Sequence, residues 1–184
     1  MMNRRVLIAA SVAGAAMLDA RAGAVDSSDP NARSPAGARI PQMRFVYECD
    51  ATLTEAETFG TTVEGMRRII PITGGTFHGP ELRGQVLGGS YDWNLSRSDG
   101  AHSVEAAYFL RTEDGVTIRV VNRGVGGPPP EDPGSGERFF MFTNPVFETP
   151  VGKYDWMNRA MFIATLGARH ASKNAVLIRV FTVI

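Results

Sequence analysis

One cysteine, three histidines and a net charge of zero are the scarcities that first constrain this chain of 184 residues. A lone thiol, Cys49, cannot close an internal disulfide. In the alternating run Phe45, Tyr47, Cys49, Ala51 it reads as a small buried hydrophobe rather than a nucleophile, with no histidine near it in sequence to lower its pKa. His78, His102 and His170 lie on separate segments with no close-spaced pair, so no metal site is expected. Lysines and arginines number 19, as do aspartates and glutamates, which removes the basic excess that a nucleic-acid partner requires. No phosphate-cradling loop, no strand-glycine-helix dinucleotide fingerprint and no Gly-x-Ser-x-Gly elbow occurs, so no nucleotide cofactor is expected and serine-hydrolase chemistry has no motif.

Long hydrophobic runs are also scarce. The longest candidate, Val6 to Leu18, spans 13 residues, against the roughly 20 that a membrane-crossing helix needs. Preceded by Arg4 and Arg5 and followed by the small-residue cleavage candidates Ala20 to Ala24, it has the order of an export leader, read as residues 1–24. The adjacent arginines hint at the twin-arginine route to the periplasm or beyond. No stable membrane anchor is expected. Residues 25–41, rich in proline and small polar residues and without periodicity, read as a tether, and residues 42–184 as a single domain.

What is abundant is two-residue alternation and glycine, of which there are 20. Met43 to Ala51, Val104 to Leu110, Val116 to Val120, Trp156 to Phe162 and Ala175 to Ile184 each place apolar residues on one face. Turn signals separate them at Gly74-Gly75, Gly88-Gly89, Ser98-Asp99-Gly100 and Asp114-Gly115. Gly124 to Gly136 is an irregular stretch, read as an exposed loop or a flap over a barrel mouth. No amphipathic helix of useful length is present. The fold class is therefore all-β: so many strands must hide their edges by closing into a barrel or stacking as a sandwich, and an antiparallel barrel of about eight to ten strands with glycine pairs at its bends is the expected form.

Several motifs carry a family resemblance: Gly65–Pro80 (GMRRIIPITGGTFHGP), Leu82–Trp93 (LRGQVLGGSYDW), Arg97–Gly100 (RSDG), Glu105–Tyr108 (EAAY), Thr112–Gly115 (TEDG), Phe147–Thr149 (FET) and Tyr154–Arg159 (YDWMNR). In this order and spacing the chain from Met43 to Ile184 resembles the domain-of-unknown-function 3237 family, also catalogued as uncharacterised protein family 0311. The resemblance implies an antiparallel barrel with a central cavity and no settled activity. Before Tyr108, Ala107 stands where the family usually carries an arginine, so no role of that arginine transfers.

Three carboxylates are candidates for proton transfer. Asp92 shares a strand face with Ser90 and Gly88, with Trp93 and Tyr91 on the other, so a lumenal Asp92 would be partly desolvated and its pKa raised. Alternatively it is structural, paired to Arg83 or Arg97 or bonded by the turn from Asn94 to Ser98. Glu105 and Glu148 are the candidate second members of an acid/base pair. Glu105 and Tyr108 point to opposite faces, so one of them lies outside, and a cross-hairpin ion pair from Glu105 to Arg119 or Arg111 is the competing reading. Trp93, Tyr108, Trp156, Asn158 and Arg97 are the candidate ligand contacts. The leading functional reading is a barrel that binds a small apolar or aromatic molecule in its lumen. The alternatives are a cofactor-independent isomerase, cyclase or lyase, and a structural homo-oligomer with tryptophan at a subunit contact.

Overall fold

The computed structural model describes residues 39–127, 137–169 and 174–184. The leader read at 1–24, nearly all of the tether at 25–41, His170 and most of the loop from Gly124 to Gly136 lie outside them.

The described residues form β1 (Met43–Leu53), β2 (Glu57–Thr62), β3 (Gly65–His78), β4 (Arg83–Arg97), β5 (His102–Thr112), β6 (Thr117–Gly126) and β7 (Glu137–Glu148), then β8 (Phe162–Arg169) and β9 (Ala175–Val183). Every strand from β2 onward pairs antiparallel with the next, and β9 pairs with β1. A further pairing of β1 with β3 shuts the ring, giving a closed eight-stranded barrel with β2 as a hairpin arm on the first half of β3. Closure leaves the barrel strands without the unpaired ladder of an open sheet.

Short turns with the anticipated residues make the hairpins. Gly100 and Gly115 adopt φ of +83° and +86°, a conformation that glycine accepts without a Cβ penalty, and the Asp99 carboxylate accepts the Ala101 N–H at 3.1 Å. The glycine pairs mark bends: the β3–β4 register shifts between Ile72 and Thr76, and the β4–β5 register between Leu87 and Tyr91. A Cβ on Gly75 would lie 2.1 Å from the Asp50 carbonyl oxygen, and one on Gly88 2.5 Å from that of Thr73. These glycines therefore let backbones approach where the long strands fold over, as the sequence suggested.

One expected strand is not formed. Trp156 and Asn158 belong to a 3₁₀ turn, Asp155–Arg159, closed by Asp155 N–H to Gly152 O at 3.1 Å and Met157 N–H to Tyr154 O at 3.0 Å. The alternation from Trp156 to Phe162 was a coincidence of composition, and β8 begins at Phe162. The turn buries Met157 in the core.

Aromatic rings fill one part of the interior. Tyr47 contacts Phe77 and Phe147 with centroids 5.5 and 6.2 Å apart, and Phe147 meets Phe162 at 4.6 Å, distances at which edge-to-face rings attract. Cys49 is fully buried nearby, and desolvation pushes its thiol pKa up to about 12. It is packing, as its sequence context indicated.

Candidate functional site

The remainder of the interior is a cavity of about 240 Å³. Its wall is mainly aliphatic, with Ile70, Ile72, Val104, Leu166, Val176 and Ile178 among its residues. The polar lining comes from Arg68 on β3, Asp92 and Asn94 on β4, His102 and Tyr108 on β5, and Asn122 on β6. Alternation explains the set: Arg68, Ile70 and Ile72 share one face of β3, as Asp92 and Asn94 do on β4.

Asp92 thus faces the lumen and Trp93 the exterior. Asp92 Oδ1 accepts the Glu105 backbone N–H at 2.9 Å, and Asn94 Nδ2 approaches Oδ2 at 3.4 Å. Asn94 Oδ1 in turn accepts a bond from Arg68 Nη2 at 2.8 Å. Three side chains on neighbouring strands therefore form one chain, Arg68 to Asn94 to Asp92. Burial raises the Asp92 pKa; the Glu105 N–H, the Asn94 amide and the Arg68 charge each offset part of that rise. The candidate structural partners Arg83 and Arg97 do not hold Asp92. Nor does a turn begin at Asn94: β4 continues to Arg97, and Asn94 is buried.

Tyr108 lines the cavity and is 2% exposed, and Tyr47 lies fully buried beside it. Their hydroxyls perturb one another's ionisation, and burial raises both pKa values well above the ordinary phenol range. Among the described residues neither oxygen finds a hydrogen bond of acceptable geometry, and Asn122 Oδ1 and Thr143 Oγ1 are likewise buried without partners.

The other expected residues are not brought to this lumen. Glu105 projects outward, because the face of β5 that presents Ala106 and Tyr108 inward turns its side chain away. It pairs with Arg123 at 3.0 Å, its cross-strand neighbour, and not with Arg119 or Arg111. That bond holds the Glu105 pKa below its usual value. Glu148 is likewise outside, opposite Arg119 in the β6–β7 ladder and 3.3 Å from it. Asp92 therefore has neither expected carboxylate partner.

Trp93 lies outside against Phe59, with centroids 4.8 Å apart, and beneath the Arg67 guanidinium at 5.1 Å. Trp156 packs on Phe162 at 5.8 Å with Arg44 over its ring. Asn158 bonds the Thr149 N–H at 2.8 Å and the Thr149 carbonyl at 3.0 Å, pinning the 3₁₀ turn. Arg97 is exposed and holds Asp99 at 2.7 Å. Of the expected site residues, Asp92 and Tyr108 line the cavity. Arg68, Asn94, His102 and Asn122 were not singled out from sequence; extending the Ile70 and Ile72 face back by two residues would have found Arg68.

A closed antiparallel barrel with an aliphatic lumen and one hydrogen-bonded polar wall is the class that fold and site define. The chain belongs to the family described as "Protein of unknown function (DUF3237)", whose model matches residues 41–183. It is 31% identical over 140 residues to a UPF0311 protein of Rhodopseudomonas palustris, a match covering 72% of this chain and 91% of the relative. The crystal structure of a conserved protein of unknown function from that organism has a TM-score of 0.70 at 31% identity, covering 80% of this chain and all of that one. More distant is a hydroalkoxylation enzyme of Penicillium herquei, 24% identical over 118 residues, covering 64% of this chain and 69% of the relative. The crystal structure of an enzyme from the same fungus shares the fold, with a TM-score of 0.62 at 21% identity, over 80% of this chain and 99% of that one.

Proposed function

We propose that this protein binds a small apolar or aromatic molecule in the barrel lumen. The observation that carries this reading is the polar chain Arg68, Asn94, Asp92 set into a mainly aliphatic cavity, the combination by which small-molecule sites fix both affinity and orientation. By liquid volume, 240 Å³ corresponds to about eight waters, room for a molecule of one or two rings. Such a hollow is not required by the alternative of a purely structural barrel.

The test is titration of a neutral fluorescent probe, 2-methoxynaphthalene, into the purified protein. Ala106 lines the cavity, paired with Asp92 and Asn122 in the neighbouring strands, so Ala106→Trp should fill the lumen and weaken binding more than tenfold. Trp93→Ala, on the exterior, should change it less than twofold. Equal binding by the Ala106→Trp variant would remove the lumen as the site.

A second reading, cofactor-independent proton transfer, is favoured by the partly buried Asp92 and by the distant relative described as a hydroalkoxylation enzyme. Here Asp92 exchanges the proton and the wall holds the substrate. Asp92→Asn would then abolish turnover while sparing affinity. We further propose export through the leader at 1–24; amino-terminal sequencing of protein recovered from the periplasm should begin after Ala22 or Ala24.

A further inference from the structure

Among the described residues Arg68 has no direct counter-charge: the Asp92 carboxylate reaches it only across the neutral Asn94 amide. Its neighbour Arg67 faces outward and has an ordinary set of partners, the Glu64 carboxylate and the Trp93 ring. Arg68 faces inward, and among the described residues no carboxylate comes within ion-pair distance of it. Its one hydrogen bond there is to the neutral amide of Asn94, while its Nε–H is closed off from solvent and has no partner. The nearest lumenal carboxylate, Asp92, already accepts from the Glu105 N–H and from Asn94. A guanidinium with an unpartnered donor beside a largely aliphatic cavity is costly, because a sealed donor has given up water and received nothing in exchange. Arg68 lines the cavity, and an anionic oxygen there would supply the direct counter-charge to the guanidinium, whose planar fork of donors fits a carboxylate.

Resting on the lumen-binding reading above, we propose that the ligand is an acid: an apolar or aromatic body ending in a carboxylate or an ionised hydroxyl, whose oxygen docks on Arg68. The body lies against Ile70, Ile72 and Ile178, and Asn94 holds the guanidinium in place through Nη2. Asp92 lies next to Asn94 on the same strand face, with its oxygens engaged by the Glu105 N–H and the Asn94 amide. A ligand with one such end satisfies the wall; one with two would place a second negative charge among aliphatic side chains.

The test uses an isosteric pair, 2-naphthoate and 2-naphthamide, titrated into the full chain at pH 7.5. The acid should bind at least tenfold more tightly than the amide, the effect of one charge-assisted hydrogen bond. Arg68→Met should abolish that difference and leave the amide affinity nearly unchanged. Arg68→Lys, which keeps the charge without the fork, should retain a few-fold preference. Equal affinities in the wild type, or a preference that survives Arg68→Met, would overturn the assignment. The wild-type comparison decides the matter even if Arg68→Met does not fold. Binding of the amide and 2-methoxynaphthalene without preference for the acid would defeat this inference alone. Failure of all three probes would defeat the lumen reading with it.

Discussion

Asp92 and Glu105 meet through the backbone of one and the side chain of the other: Asp92 Oδ1 takes the Glu105 N–H at 2.9 Å, while the Glu105 carboxylate lies on the outer surface against Arg123. The β4–β5 register passes from Asp92 opposite Ala106 to Leu95 opposite Ser103, and within that interval the lumenal carboxylate receives a strand amide. This tethers Asp92 to β5 and turns its second oxygen toward Asn94. The carboxylate is thus both part of the scaffold and part of the cavity wall.

Asp92 should make stability depend on pH in a direction opposite to that of a salt-bridged aspartate. Its folded pKa is raised above 3.8 by burial, so between 3.8 and the folded value the native state holds the proton more often than the unfolded chain. Stability therefore falls as pH rises through that window. Asp92→Asn keeps an oxygen for the Glu105 N–H and removes the titration. The variant should unfold at a higher temperature than wild type at pH 7, with the advantage shrinking below the ordinary carboxylate pKa. Melting curves from pH 3 to pH 8 would refute this if the wild type were the more stable protein at pH 7.

Tyr47 should be improvable. Among the described residues its hydroxyl makes no hydrogen bond of acceptable geometry, its polar neighbour being the Tyr108 hydroxyl, and its ring makes the contacts with Phe77 and Phe147. Tyr47→Phe should raise the unfolding free energy by about 1 kcal/mol, by removing an uncompensated polar group at constant shape. Urea denaturation measures it. A loss of 1 kcal/mol or more would mean that the hydroxyl has a stabilising role.

The strands and their bends were legible because alternation and paired glycines are local signals; strand number asked only for hidden edges, and the β1–β3 pairing decides for a closed barrel over a stacked sandwich. That Asp92 and Trp93 point to opposite faces was legible for the same reason; which of the two faces is lumenal was not. The turn at Asp155–Arg159 was not: Trp156, Asn158, Ala160 and Phe162 mimic a strand, and the reversal shows only in the turn's backbone bonds and in those from Asn158 to Thr149. Glu105 and Glu148 were equally ambiguous, since parity leaves two faces and the partners that choose between them, Arg123 and Arg119, are neighbours only once the ladder is in register. Arg68 was hidden by its own pairing with Arg67, because two adjacent basic residues look like a solvated surface until the strand sends them to opposite sides.

Glu105 should be dispensable for binding. Its ion pair with Arg123 is exposed on both sides, 49% and 65% accessible, and such pairs contribute about 0–1 kcal/mol. Glu105→Gln should change naphthoate affinity less than twofold and the melting temperature by no more than about 3 °C. A tenfold loss of affinity would require a lumenal role that its outward position does not provide.

The closure of the barrel should be most sensitive at Gly75. This glycine faces Ala51 in the β1–β3 pairing that shuts the ring, has φ of +136°, and has no space for a Cβ, which would fall 2.1 Å from the Asp50 carbonyl oxygen. Gly89 also has a positive φ, +91°, but nothing lies within 4 Å of the position its Cβ would take. Alanine at Gly89 should therefore cost only the conformational penalty, about 1 kcal/mol. Alanine at Gly75 adds a backbone clash and should cost about 3 kcal/mol or more, a drop in melting temperature of roughly 6–12 °C. Because the clash forces β1 away from β3 beside Ala51 and Ile72, which both line the cavity, Gly75→Ala should also weaken probe binding, whereas Gly89→Ala should not. Equal melting temperatures for the two variants would show that β1 and β3 can part locally without loss, and that the lumen does not depend on this seam.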